Sequence, residues 1–387
     1  MDRTLQFGID LLATEHADWL KHSRVGLVAH AASRTTGGMP SADLLKHILG
    51  NRLVCLFGPE HGFRGQAGAG EQVAHAQHPE WGIPVHSLYG RTRRPTSEML
   101  HGVDVIVFDL QDLGARPYTY VSTLRYVLEA AAEHDRAVIV ADRPVPLAGV
   151  VDGPMLQNDF ESFVGGIPSP VVYGMTPGET ALWLQATLGL DLELRIARVR
   201  GYGRETTPAP AWPEWVPSSP AIRSWSIGQS FPITVFLEAL PGVDHARGTD
   251  APFQRVGAPW LDAGKLATAL NGMSLPGMQF KPTDYGAQTG SHRGIHLHGV
   301  TIEIIDPGIF APVRTGVAII EALQQLHGAA WLWSQPGTRP EFFDQLMGTD
   351  AVRLALHDGL TANDIAAGWD KDLQLFRQQR EPHLLYP

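Results

Sequence analysis

Cysteine is almost absent from this chain, which has a single one, Cys55, in 387 residues. One cysteine excludes an internal disulfide framework, and its place inside an apolar run indicates a small buried side chain. The first residues contain no basic segment followed by a long apolar run, and no apolar stretch is long enough to span a bilayer. The sequence therefore predicts no signal peptide, and a cytoplasmic location is expected unless a leader was removed.

Charged residues are also few, at 18%, and the formal net charge is -10. A negative balance argues against nucleic acid or an anionic membrane as a partner, because both attract proteins through positive charge. A small neutral or weakly charged substrate fits better, and the oligomeric state is left open. With 44% hydrophobic residues and 10 tryptophans, the chain can bury a substantial core.

Phosphate-binding and metal-binding patterns are missing as well. The glycine-rich segment from Gly65 to Gly70 follows a turn and does not open a helix directly after a strand, so a dinucleotide site is not indicated. Among His292, His296 and His298, the last two would share one face of a strand, but no cysteine or closely spaced carboxylate joins them. The sequence thus predicts neither a metal ion nor another cofactor.

Apolar runs alternate with helical patterns through the first half of the chain. Four short runs predict buried strands, at Val25–Ala29, Leu53–Phe57, Val105–Phe108 and Val138–Ala141. Helices are expected between and after them, at Ser41–Leu49, Tyr120–His134 and, behind a capping box that starts at Thr176, Ala181–Leu188. The predicted fold class is α/β, with a Rossmann-like, mostly parallel sheet and a second, smaller α/β C-terminal domain.

A proline-rich stretch, Thr206–Pro220, separates the two expected domains, which we assign to residues 1–228 and 229–387. In the second domain the apolar patterns predict strands at Phe231–Leu237 and Val300–Ile305. Helices are predicted there at Leu261–Met273, Val313–His327 and Thr361–Gln379.

Polar side chains follow every one of the four apolar runs in the first half. They are His30, then Glu60 and His61, then Asp109, Gln111 and Asp112, and finally Asp142 and Arg143. The carboxyl ends of parallel strands lie at one edge of a sheet, so these groups are expected to converge on a single crevice.

Several of these residues belong to longer motifs. They include Gly58-Pro59-Glu60-His61-Gly62-Phe63-Arg64-Gly65, Asp109-Leu110-Gln111-Asp112-Leu113-Gly114-Ala115-Arg116-Pro117-Tyr118, Gly174-Met175-Thr176-Pro177-Gly178-Glu179 and Arg247-Gly248-Thr249-Asp250. Together they closely resemble the exo-lytic β-N-acetylmuramidases of bacteria over nearly the whole chain. The resemblance implies hydrolysis of terminal N-acetylmuramic acid from peptidoglycan fragments, with Glu60 as the catalytic candidate. The chain departs from that pattern at His30-Ala31-Ala32-Ser33, Val145, Tyr173 and Leu240–Ala246.

Glycoside hydrolysis requires a carboxylic acid that protonates the leaving oxygen and a second carboxylate that acts on water or on the anomeric carbon. Glu60 suits the acid role, although it could instead pair with Arg64 or His61 to hold the turn. We expect Glu71 to be the second carboxylate, with Asp109 and Asp112 as competitors. The alternative for Glu71 is a solvated glutamate on a loop.

An arginine is expected to bind the lactyl carboxylate of muramic acid, because a guanidinium matches a carboxylate in a bidentate manner. Arg116 is the first candidate and Arg64 the second, while Arg247 would reach the cleft from the second domain. Asp142 and Arg143 fit a structural ion pair as well as a substrate site.

His61 and Tyr118 complete the predicted binding residues. Two other functions stay open at this point. One is a sugar-binding protein without catalysis, and the other is a nucleotide- or sugar-phosphate-using transferase.

Overall fold

A computed structural model describes residues 4–65, 67–68, 70–204, 208–209 and 212–387. Part of the proline-rich stretch therefore lies outside the described residues. Twelve strands lie in these described residues: β1 (Val25–Ala29), β2 (Leu53–Gly58), β3 (Ala76–Gln77), β4 (Pro84–Ser87), β5 (Val105–Asp109), β6 (Ala137–Ala141), β7 (Asp152–Met155), β8 (Pro170–Val172), β9 (Leu194–Ala197), β10 (Arg255–Ala258), β11 (Met278–Gly286) and β12 (His296–Ile304).

Seven of these strands form the central sheet, in the spatial order β3-β4-β2-β1-β5-β6-β9. All neighbours in it are parallel except the short β3, which pairs with β4 in the antiparallel direction. Strands β7 and β8 form a small antiparallel pair, and β10, β12 and β11 form a three-stranded antiparallel sheet. The predicted α/β class with a mostly parallel sheet is confirmed.

Twelve α-helices accompany the sheets in the described part of the chain: α1 (Gly8–Thr14), α2 (Ser41–Leu49), α3 (Tyr120–Glu133), α4 (Pro177–Leu188), α5 (Trp225–Thr234), α6 (Ala263–Gly272), α7 (Pro312–His327), α8 (Ala329–Trp333), α9 (Pro340–Met347), α10 (Ala351–His357), α11 (Ala362–Ala367) and α12 (Asp370–Arg380). The capping box predicted at the start of α4 is present: the Thr176 side chain accepts a hydrogen bond from the Glu179 amide, and Glu179 accepts one from the Thr176 amide.

The prediction of a strand at Phe231–Leu237 is wrong. Ser224 caps helix α5, which continues into a short 3-10 helix at Val235–Ala239. The segment is mostly apolar because nearly all of its side chains are buried. A helix that is buried on all of its faces has the same composition as a buried strand. The single helix predicted at Thr361–Gln379 is two helices, α11 and α12, separated near Gly368.

One hydrophobic cluster extends through both halves of the chain, with members from Val28 on β1 to Phe376 on α12. Cys55 is buried in it, as the sequence suggested. The seven-stranded sheet lies wholly before residue 228, and the three-stranded sheet lies wholly after it. Within the described residues, no helix has the length and apolar character needed to cross a membrane.

Candidate active site

The loop that follows β2 is folded back tightly on itself. A Cβ atom at Gly58 would lie 2.5 Å from the backbone nitrogen of Phe63, so only glycine fits there. His61 has a φ of 69° and Gly62 a φ of 76°, both in the left-handed region. These turns fix Glu60 at the carboxyl edge of the central sheet.

The Glu60 side chain is buried and held at both oxygens. Its Oε1 accepts a hydrogen bond from the Gly70 amide at 2.8 Å, and its Oε2 accepts one from the Thr119 hydroxyl at 2.6 Å. The Tyr120 hydroxyl lies 3.4 Å from the Glu60 backbone carbonyl. Among the described residues Glu60 forms no ion pair, so it does not hold the turn by pairing with Arg64 or His61.

Glu60 borders a narrow cavity of about 90 Å³ between the two halves of the chain. The first half contributes polar groups that include Tyr118 and Thr119, and the Tyr118 hydroxyl donates to Ser218 Oγ at 2.8 Å. The second half contributes mainly apolar side chains and two charged ones: Phe231, Phe253, Phe342, Glu238 and Arg247.

Glu238 is the carboxylate that shares this cavity with Glu60. It lies in the short 3-10 helix after α5, and its Oε1 accepts a hydrogen bond from Arg247 Nη1 at 2.6 Å. Burial raises the pKa of Glu238, the positive charge of Arg247 lowers it, and the negative charge of Glu60 raises it again. Both carboxyl groups line the same cavity. Glu238 was not among the residues predicted from the sequence; its signal was an acidic residue directly after the apolar run that ends at Leu237.

A second cavity of about 400 Å³ adjoins the first and shares Glu238 and Arg247 with it. Its other walls are formed by the segment after Leu237 and by the loop between β11 and β12. The lining residues are Pro241, Val243, Asp244, His245, Thr289, Gly290, Ser291 and Arg339. The combined space is suited to a sugar, since ligand cavities usually measure a few hundred Å³.

Glu71 and Arg64 lie away from the Glu60 cavity. Both are exposed and line a separate surface hollow, and Glu71 Oε2 accepts a hydrogen bond from the nearby Gly68 amide at 2.8 Å. His61 borders both spaces, and its Nδ1 lies 2.8 Å from the Ala67 carbonyl oxygen. This placement favours the alternative of a solvated loop residue for Glu71.

Asp109 and Arg143 form a buried ion pair at the end of β5. Arg143 Nε lies 2.5 Å from Asp109 Oδ1, and the two side chains are 2% and 0% exposed. Asp142 accepts hydrogen bonds from the hydroxyls of Thr176 and Tyr386, and burial raises the pKa of Asp142 to about 6. The strand ends do bring these groups to one edge, but their contacts are internal to the fold.

Asp112 and Arg116 are also used inside the protein. Asp112 accepts hydrogen bonds from the Tyr173 hydroxyl and the Leu113 amide, and burial raises its pKa to about 7. Arg116 is fully buried, and its two Nη atoms donate to the carbonyls of Ser169 and Met347, each at 2.6 Å. Arg116 does not line the Glu60 cavity, whereas Tyr118 and Arg247 do.

One group of side chains in the described part of the chain has the spacing of metal ligands: Asp284, His296 and His298. Asp284 lies opposite His298 across β11 and β12, and their side chains are 2.6 Å apart. The sequence analysis found no carboxylate beside these histidines because the partner comes from the neighbouring strand. All three side chains are exposed, and none lines the Glu60 cavity.

Because none of these three side chains lines the Glu60 cavity, treatment with a chelator is expected to leave hydrolytic activity unchanged. His298→Ala should likewise retain full activity with the same substrate. Steady-state rates before and after dialysis against a chelator would test this expectation. A loss of activity that zinc restores would contradict it.

Comparison with known proteins identifies the family. A model of the N-terminal part of the exo-β-N-acetylmuramidase NamZ matches residues 25–226, and a model of its C-terminal part matches residues 229–386. The chain belongs to the NamZ family. The resemblance stated from the sequence motifs is thereby confirmed.

Individual NamZ relatives agree with this assignment. A Bacillus subtilis (strain 168) protein named peptidoglycan β-N-acetylmuramidase NamZ is 34% identical over 383 residues, which cover 99% of this chain and 91% of that protein. A crystal structure of a DUF1343 family protein from Bacteroides fragilis matches with a TM-score of 0.93 at 31% identity, over 100% of both chains. A second such protein from the same organism matches with a TM-score of 0.76 at 26% identity, over 99% of both chains.

Proposed function

We propose that this protein is a glycoside hydrolase that releases terminal, non-reducing, β-linked N-acetylmuramic acid from peptidoglycan-derived fragments. The observation that carries the proposal is the pair of carboxyl groups, Glu60 and Glu238, at one buried cavity between the two halves of the chain. Membership of an exo-acting muramidase family supports both the reaction and the terminal position of the bond that is cleaved.

Glu60 is the general acid in this proposal. Its carboxyl group is fixed by Gly70 and Thr119, so it approaches a leaving oxygen from one direction with little loss of conformational entropy on binding. Phe231, Phe253 and Phe342 line the cavity, so a sugar that displaces its water would strengthen the electrostatic interactions there.

Glu238 is the second carboxylate, in place of Glu71. It lines the same cavity as Glu60, while Glu71 lines the separate hollow. Arg247 holds one oxygen of Glu238 and leaves the other free to act on the anomeric carbon or on the attacking water. Glu238→Gln should lower turnover by at least about 10²-fold, because the amide supplies neither negative charge nor basicity.

The reaction is tested with two disaccharides of opposite order. One has β-linked N-acetylmuramic acid at the non-reducing end, and the other has N-acetylglucosamine there. We expect the protein to release free N-acetylmuramic acid from the first and nothing from the second, as measured by mass spectrometry. A protein that binds the first disaccharide without cleaving it would be a sugar-binding protein, which contradicts the proposal.

A further inference from the structure

Two guanidinium groups flank Glu238 at the cavity of about 400 Å³. Arg247 binds the Glu238 carboxylate through Nη1 at 2.6 Å, and Arg339 donates from Nη2 to the Glu238 backbone carbonyl at 2.7 Å. Each arginine also lies over an aromatic ring, Arg247 over Phe253 at 5.8 Å and Arg339 over Phe342 at 4.4 Å. These contacts fix both side chains at the border of the cavity.

Each guanidinium has several N–H donors, and the contacts above use only one of them on each side chain. In the described ranges of the chain, no second acceptor pairs with either group. The other titratable residues of the cavity wall do not compete for them. Asp244 accepts hydrogen bonds from the Ala246 amide and the Tyr285 hydroxyl, and burial lowers the pKa of His245 to about 3, so that this ring is neutral.

We propose that this cavity is the subsite for the lactyl carboxylate of the terminal muramoyl residue, bound by the free N–H groups of Arg247 and Arg339. This inference rests on the proposed function. The subsite would distinguish a muramide from the corresponding N-acetylglucosaminide, which has no lactyl group.

The position of the cavity agrees with the chemistry. The lactyl group belongs to the same sugar whose glycosidic bond is cleaved, so its carboxylate must lie within about the length of one sugar of the reacting groups. Arg247 and Glu238 border both cavities, which makes the second one the neighbouring space. The other arginines that the sequence suggested are unsuitable: Arg116 is bound to carbonyls, and Arg64 lines the surface hollow.

Arg339 is the better probe of the two. Arg247 touches the Glu238 carboxylate, so its replacement would alter the chemistry as well as the binding. Within the described residues, the Arg339 side chain donates to the backbone carbonyl of Glu238 and lies over the ring of Phe342, and its charge lowers the pKa of the Glu238 carboxyl without a direct contact. Its loss therefore removes an anion-binding group and leaves the Glu238 carboxylate in place.

The test uses three aryl glycosides: the muramide, the same muramide with its lactyl carboxylate converted to a methylamide, and the N-acetylglucosaminide. The unmodified protein is expected to prefer the charged muramide by about tenfold or more. Arg339→Ala should raise KM for that substrate by about tenfold with little change in kcat, and should leave the two neutral substrates almost unaffected.

Arg293→Ala is the matched control, because Arg293 is an exposed arginine in the loop between β11 and β12, which borders the cavity, but does not itself line it. It should preserve the preference for the charged substrate. Equal losses on all three substrates in Arg339→Ala would show a structural role and overturn the inference, as would an unchanged preference. In either case the unmodified protein would still hydrolyse the muramide, so the proposed function is judged separately.

Discussion

Glu60→Gln is expected to lower the rate of disaccharide hydrolysis by about 10² to 10⁴-fold, the usual contribution of general acid catalysis. Glutamine keeps the shape of the side chain and can still contact Thr119 and Gly70, but it carries no acidic proton. Steady-state kinetics on the muramoyl disaccharide would measure the loss. The melting temperature should change little, because the buried contacts are largely retained.

Glu71→Gln provides the control for this variant. Glu71 is an exposed acidic residue of the same loop, and among the described residues its carboxylate accepts a hydrogen bond from the Gly68 amide alone. We expect its activity to stay close to that of the unmodified protein. If Glu71→Gln were inactive and Glu60→Gln active, the roles proposed for the two residues would have to be exchanged.

Asp109→Asn is expected to destabilise the protein by about 3–5 kcal/mol, because it leaves the Arg143 charge buried without its counter-ion. The Arg143 side chain is only 2% exposed, so little water reaches it to compensate. Unfolding in urea, followed by circular dichroism, would give the change in free energy of unfolding. This effect is a large share of the stability of an ordinary domain.

Asp104→Asn is the matched control for the ion pair. Asp104 lies just before the same strand and pairs with Arg24, but the two side chains are 38% and 54% exposed. Exposed pairs contribute little, so this variant should lose no more than about 1 kcal/mol. A fully stable but inactive Asp109→Asn variant would instead support the catalytic role that the sequence first suggested for Asp109.

The central sheet was predictable because each of its main strands is a short apolar run that ends in polar residues. Val25–Ala29 matches its strand in full, and the runs at Leu53, Val105 and Val138 differ from theirs by one residue at an end. The helix at Phe231 was not predictable by the same reasoning. Burial on all sides removes the 3.6-residue periodicity that distinguishes a helix from a strand.

The site was only partly predictable, for a related reason. Glu60, His61, Tyr118 and Arg247 were selected from motifs and border the cavity. Glu238 was not, because its position depends on how the second half of the chain packs against the first. The polar residues at the strand ends do lie at one edge of the sheet. That shared position does not reveal which of their side chains line the cavity. Asp109 and Arg143 pair with each other, and both Nη atoms of Arg116 donate to backbone carbonyls.

The role of Glu60 as proton donor is tested most directly by the dependence of the rate on the leaving group. The ratio of kcat/KM for the muramoyl disaccharide to kcat/KM for a para-nitrophenyl muramide would be compared between the unmodified protein and Glu60→Gln. A nitrophenolate leaves without a proton, so the variant should lose about 10²-fold or more on the disaccharide and far less on the aryl substrate. Equal losses on both substrates would contradict the assignment of Glu60 as the general acid.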